Sequence, residues 1–394
     1  MQGYTQAMTF NPDRLTLPPL ALYIHLPWCV RKCPYCDFNS HQQPKTIPED
    51  DYIRALFADL EQDLPAVWGR PVVSIFFGGG TPSLFSTAGI DAILTGVRAR
   101  LTVRPDAEIT LETNPGTAEF GRFEGYLAAG VNRISLGVQS FDDVKLKRLG
   151  RVHSAGEAKR AFALARRAGV QNINIDLMYA LPGQSESDAL SDLAQALALG
   201  PEHISHYHLT LEPDTVYAKF PPQDLPDEDS AWAMQEACEA NLKSADLEHY
   251  EVSAYAKAGY RSTHNQLYWR FGDYLGIGAG AHAKITDLAS GQITRTAKQK
   301  IPRLYQECAG TPSSWVERRV LSSAELPLEY MLNALRLFEG VPSSDFAKRT
   351  GMELNSLPGY HRALKRGLLL DNNGVLRASE LGQRFLNDLI NEFS

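Results

Sequence analysis

Cys29, Cys33 and Cys36 fall within eight residues of each other in the stretch YIHLPWCVRKCPYCDFNSH. The other two cysteines, Cys238 and Cys308, stand far from this run and from each other. Thiolates at C-x3-C-x2-C spacing suit soft or borderline metals: zinc, copper(I) or iron–sulfur clusters. A structural zinc takes four protein ligands, so the zinc reading needs His25 or His41 as the fourth. A closed [4Fe–4S] cubane takes four cysteines. Three leave one iron with an open position, as in sites that bind a substrate or an exogenous ligand.

Other chemistry-bearing residues stand at regular points further along. Glu112 follows AEITL, Gln139 follows RISLGV, Asp176 follows NINI and Glu212 follows HLTL. The run GGGTP, Gly78 to Pro82, allows close backbone approach and offers carbonyls and N–H groups to a charged ligand. HNQLYW, His264 to Trp269, combines an imidazole with two aromatic faces. A histidine can ligate heme iron, and Tyr268 and Trp269 can cover a flat apolar ring. His282, in LGIGAGAHAK, is a second candidate iron ligand. That loop lacks the G-x-G-x-x-G spacing of a dinucleotide site. In HISHYHL, alternation sends His206 and His208 to one face and His203 to the other, which argues against a three-histidine site.

The elements that must carry these residues alternate. Apolar, β-branched runs begin near positions 20, 72, 107, 132, 172 and 203. Amphipathic stretches such as PEDDYIRALFADLEQDL and SAGEAKRAFALARRAG lie between them. This pattern predicts parallel β/α packing. Polar residues at successive strand ends favour a barrel, where such ends converge on one cavity. We expect an N-terminal extension over 1–19, a partial (β/α)6 barrel over 20–220 and a covering α/β extension over 221–319. A small C-terminal α+β module over 320–394 has helices and an NNG hairpin like a winged helix.

The chain has 394 residues, 44% hydrophobic and 22% charged, with a formal charge of -7 and a pI near 5.8. That balance argues against broad nucleic-acid binding. The third helix of the C-terminal module is poor in basic residues, so a structural or partner-docking role is expected there. No run of about 18 apolar residues suggests a membrane span, and the first residues do not resemble a secretion signal. Few, bunched cysteines suit a reducing compartment, so a cytoplasmic location is expected.

Taken together, the cysteine spacing, Tyr35 just before the last cysteine and the loop's place after the first strand resemble the radical S-adenosylmethionine (SAM) proteins. The resemblance implies a [4Fe–4S] cluster on Cys29, Cys33 and Cys36, with the amino and carboxylate groups of SAM on the open iron. It implies SAM contacts from Tyr23, Tyr35, Gly79, Gly80, Thr81, Glu112, Gln139, Arg151 and Asp176. Within the superfamily the chain resembles the branch holding oxygen-independent coproporphyrinogen III oxidases and HemW-type heme chaperones. Those oxidases carry a fourth cysteine where this chain has Phe38, and a longer segment before the motif. HNQLYW matches the H-N-x-x-Y-W motif of the chaperones.

That likeness implies a heme carrier which passes heme to acceptor proteins, with His264, Tyr268 and Trp269 contacting heme. It leaves room for a homodimer and for peripheral membrane contact through acceptors. The competing expectation is a radical enzyme that decarboxylates a porphyrinogen propionate.

Overall fold

A computed structural model describes residues 10–116 and 122–394, so the first nine residues of the expected extension lie outside the described residues. Strands Leu20–Leu26, Val72–Gly79, Val103–Thr113, Arg133–Gln139, Asn172–Tyr179 and His203–His208 form the six expected parallel neighbours, in chain order. Helices such as Glu49–Asp63, Thr87–Arg100, Ala155–Arg167 and Glu186–Leu199 return the chain between them. Two helices begin at serine capping boxes, Ser154 with Glu157 and Ser185 with Asp188, which satisfy the first free N–H groups.

Alternation along the strands sorts the side chains. Leu22, Ile24, Ile75, Phe77, Leu111, Leu136, Ile175 and Ile204 are buried in the main apolar core. Their neighbours point the other way, and the inner face is polar: Ser74, Thr110, Arg133, Ser135, Asn174, His203 and Ser205 are all buried. His203 bonds Asn174 and Tyr250 at 2.6 and 2.8 Å. His206 instead stacks on Tyr179, so the alternation expected in HISHYHL holds. A polar lumen needs partners for each group, and it has room for a polar ligand at its mouth.

The region 221–319 adds strands to both edges of this sheet as well as covering it. Asp273–Ile277 pairs parallel with the first strand on its free edge, making seven consecutive parallel strands in a twelve-stranded sheet. On the far edge, HYEVSAYA contributes to a tight antiparallel pair, Glu248–Glu251 with Ala254–Ala256. Two buried ion clusters bind this region to the barrel. Lys298 pairs with Asp59 and Asp63, and Asp273 pairs with Lys284 and Arg70 at 2.8 Å each.

HNQLYW is helical. The helix Thr263–Trp269 sits at the N-terminal end of the barrel, where Glu108 accepts from the N–H groups of Thr263 and His264 at 3.0 Å each. A carboxylate is favourable at a helix N-terminus because it meets unpaired N–H groups.

The C-terminal module has a three-stranded antiparallel sheet and its own apolar core around Tyr330, Met331 and Phe346. Its hairpin turns at Asn373 and Gly374, both at positive φ, as a two-residue primed turn requires. Residues from Phe10 onward strap this module: Asn11 N–H donates to Gly351 O at 2.8 Å and Thr16 N–H to Lys348 O at 2.9 Å. No helix among the described residues is long and apolar enough to cross a membrane.

Candidate functional site

The cysteine loop leaves the C-terminal end of the first strand. Trp28–Cys29 pairs with His41–Gln42, which closes the loop into a short collar. Trp28 packs edge-on to Tyr52 at 4.8 Å and against Phe85 at 5.9 Å, anchoring the collar in the core. Asn39 ties the far side: its Nδ2 donates to Ala279 O and Lys300 O, both at 2.8 Å. His25 Nε2 bonds Asn39 O at 2.9 Å and His41 Nε2 bonds Asn39 Oδ1 at 3.1 Å.

All three thiols line one cavity of about 300 Å³ at the barrel mouth, and none is in a disulfide. Burial pushes the Cys29 and Cys36 thiols above the ordinary thiol range. Among the described residues no three Cys, His, Asp or Glu side chains close around the position of a single ion. Three thiols facing one cavity fit a [4Fe–4S] cluster with one iron left open. Of the candidate fourth ligands for zinc, His25 has both ring nitrogens engaged, on Tyr23 and Asn39, and His41 has Nε2 engaged.

Every expected strand-end residue reaches this cavity: Glu112, Gln139, Asp176 and Glu212 all line it. Burial, with Asp176 nearby, raises Glu112 to about 8. Burial also raises Asp176, against hydrogen bonds from Asn174 at 2.7 Å and Ser135 at 3.1 Å. Gln139 holds φ +71°, in the left-handed region, beside a register shift between Gly137 and Gln139. That bulge turns its side chain into the cavity, at a backbone cost typical of functional positions.

Arg151 joins the cluster loop to the strand ends. It donates to Gly137 O at 2.7 Å and to Asn114 Oδ1, and its Nη1 lies 3.8 Å from Cys33 Sγ. Tyr35 is half-buried beside it, and desolvation of its phenol lifts that group well above its ordinary value. Asn114 donates in turn to Thr81 Oγ1 at 2.8 Å. Asn114 is a member of the site that sequence reasoning missed. The available signal was its position two residues after Glu112, directly past the strand's last residue, Thr113.

The glycine run behaves differently from expectation in one respect. Gly80 N–H donates to Leu26 O at 2.8 Å and Thr81 N–H to Trp28 O at 2.7 Å. Those donors fasten the run to the cluster loop and are not free for a ligand. A Cβ on Gly80 would stand 2.4 Å from Trp28 O, so only glycine permits this approach.

Tyr23 stands outside the lining of the thiol cavity. Its hydroxyl meets His25 Nδ1 at 3.1 Å, and it lines a second cavity of about 510 Å³, across the cluster loop from the thiols. Glu112 lines both cavities, and so do Lys32, Phe38 and Ser40.

The expected heme residues are divided. His264 is 2% exposed and stacks on Phe76 at 4.9 Å. Its Nδ1 is bonded to Ser74 Oγ at 3.0 Å and its Nε2 to Tyr268 hydroxyl at 3.2 Å. With both nitrogens engaged, it presents no lone pair to an iron in this arrangement. Tyr268 reaches the second cavity. Trp269 points away, packs against the core of the C-terminal module and lies under Arg336 at 4.9 Å.

Comparison with known proteins agrees with this architecture. The radical SAM superfamily profile matches residues 23–196, and the HemN C-terminal domain profile matches residues 321–385. The heme chaperone HemW of Escherichia coli (strain K12) is 48% identical, over 96% of this chain and 98% of its own. The heme chaperone HemW of Haemophilus influenzae is 47% identical over the same shares. The solved coproporphyrinogen III oxidase (HemN) from Escherichia coli shares the fold, with a TM-score of 0.81 at 22% identity. It covers all of this chain and 93% of its own. With a radical SAM barrel, a HemN-type C-terminal domain and near-full-length likeness to HemW proteins, the chain belongs to the HemW-type branch of the radical SAM superfamily.

Proposed function

We propose that this protein carries heme as cargo and passes it to acceptor proteins. It would hold a [4Fe–4S] cluster on Cys29, Cys33 and Cys36 and SAM on the strand ends. The observation that carries this reading is the 48% identity with a HemW heme chaperone over nearly the whole of both chains. The absence of a fourth cysteine at Phe38 and the tetrapyrrole-sized second cavity support it.

When bound, such a cluster supplies an open iron that the amino and carboxylate groups of SAM can chelate. The chain's own residues have separate tasks. Arg151 holds the cluster loop against the strand ends and offers a cation beside Cys33. Glu112 and Asp176 stand where carboxylates can accept from ribose hydroxyls or an ammonium. Gln139 and Thr81 add neutral partners at the rim. Tyr35 and Met178 give the cavity apolar walls that limit water. The five free thiols fit a reducing compartment, and we place the protein in the cytoplasm. The C-terminal module is then a docking body for acceptors, and a homodimer or acceptor-mediated membrane contact is compatible with this role.

The test uses anaerobically reconstituted full-length protein. Heme should bind in a fixed ratio and move to an apo-acceptor, and serine at any of the three cluster cysteines should abolish the iron–sulfur absorbance. Failure to bind heme, or steady conversion of coproporphyrinogen III, would overturn the reading.

A further inference from the structure

The second cavity has a composition that the SAM site does not explain. At about 510 Å³ it lies within the roughly 300–1,000 Å³ range of cofactor-sized sites. Its wall is a corner of two aromatic rings: Tyr268 and Tyr274 stand 4.4 Å apart between centroids, with planes at 69°. Phe38 closes the lip and is 60% exposed. An exposed phenyl beside a cavity is a ready apolar cover for a flat ligand.

Three histidines line this space, and they differ in what they have left to give. His25 uses both ring nitrogens, on Tyr23 and Asn39. His41 uses Nε2 on Asn39 and on Lys300 O. His282, the first residue of the strand His282–Asp287, is exposed, and no hydrogen bond engages its ring among the described residues. Two ammonium groups, Lys32 and Lys300, stand at the same rim. Lys32 spends one donor on Phe38 O at 3.0 Å, and neither lysine has an ion-pair partner among the described residues. Asp37 is the one exposed carboxylate in the lining.

A free imidazole, an aromatic corner and two unpaired cations are what an iron tetrapyrrole with two carboxylates requires. We infer that this cavity seats the heme, with His282 as the axial ligand to iron and Lys32 and Lys300 receiving the carboxylates. The inference rests on the heme-carrier reading and adds the place and the ligand. Since Lys32 and Phe38 line both cavities, the bound heme adjoins the cluster loop itself. His264 then acts through Tyr268, whose hydroxyl it holds, as a positioning residue.

The test is a hemin titration of the reconstituted full chain, followed by the Soret band, with iron and sulfide content as the check on folding. H282A should lower affinity about tenfold or more and shift the Soret band while the cluster remains. Imidazole added to H282G should restore the wild-type spectrum, which a merely structural role would not allow. K32A/K300A should weaken binding and leave the spectrum unchanged. If the wild type binds hemin and H282A keeps its affinity and spectrum, the assignment is wrong and the carrier reading stands. If the wild type binds no hemin, the carrier reading falls and takes this site with it.

Discussion

Arg151 lies with Nη1 3.8 Å from Cys33 Sγ while its Nη2 donates to Gly137 O at 2.7 Å. One guanidinium thus bridges the loop that carries the thiols and the strand that carries Gln139. Hydrogen bonds to charged groups are worth roughly 1.5–3 kcal/mol. R151A should therefore weaken SAM binding about tenfold or more, read by calorimetry on the reconstituted protein. R151K keeps the charge and loses the fork, so it should recover only part of the loss.

Glu112 sets a pH dependence. Burial lifts it from 4.5 to about 8, so the unliganded fold holds a proton that the unfolded chain has released. The fold therefore loses stability as pH rises from 4.5 to about 8. Affinity for SAM should run the other way, rising towards about 8 and then levelling, because only the carboxylate accepts well from an ammonium or hydroxyl. E112Q should flatten both slopes, seen by urea midpoints and by SAM titrations across pH.

Gly80 is packed against main chain that cannot give way, with Trp28 O 2.4 Å from the place of a Cβ. G80A should cost about 1–3 kcal/mol through overpacking and should lower cluster occupancy, because Trp28 leads directly into Cys29. Iron and sulfide per chain, measured beside the thermal midpoint, checks this. A variant with full cluster and wild-type midpoint would contradict the packing.

His264 should behave as a core residue. H264A removes its bonds to Ser74 and Tyr268 and its stack on Phe76, a loss of about 2–4 kcal/mol. Burial also depresses its pKa from 6.5 to about 3. The stability this represents is present above 6.5 and fades as pH falls towards 3. Urea unfolding should therefore show a shallower acid dependence in H264A. An unchanged urea midpoint with a lost Soret band would instead mean that the imidazole leaves the core to meet iron.

What could be read from the chain follows from the range of the interactions involved. The thiol spacing and the polar residues at strand ends are local patterns, and the structure gathers Glu112, Gln139, Asp176 and Glu212 at one cavity. Helices Phe123–Ala129 and Asp143–Arg148 were not legible, because seven and six residues carry too little periodicity. The parallel pairing of Asp273–Ile277 with Leu20–Leu26 spans about two-thirds of the chain, and no local pattern encodes it. The motif HNQLYW disclosed ring types but not directions. Once it is helical, positions four apart share a face, so His264 and Tyr268 turn inward and Trp269 does not.

That division gives the helix Thr263–Trp269 a mechanical meaning. It is a stiff rod of roughly two turns, clamped by Glu108 at one end and wedged by its last indole into a neighbouring body. If that body shifts, either the Trp269–Arg336 stack must part or the rod must roll, and a roll swings the Tyr268 phenol through the space it borders. A shift of the far module would thus reach the cavity wall through this helix, and also through Glu329, Arg295 and Tyr274.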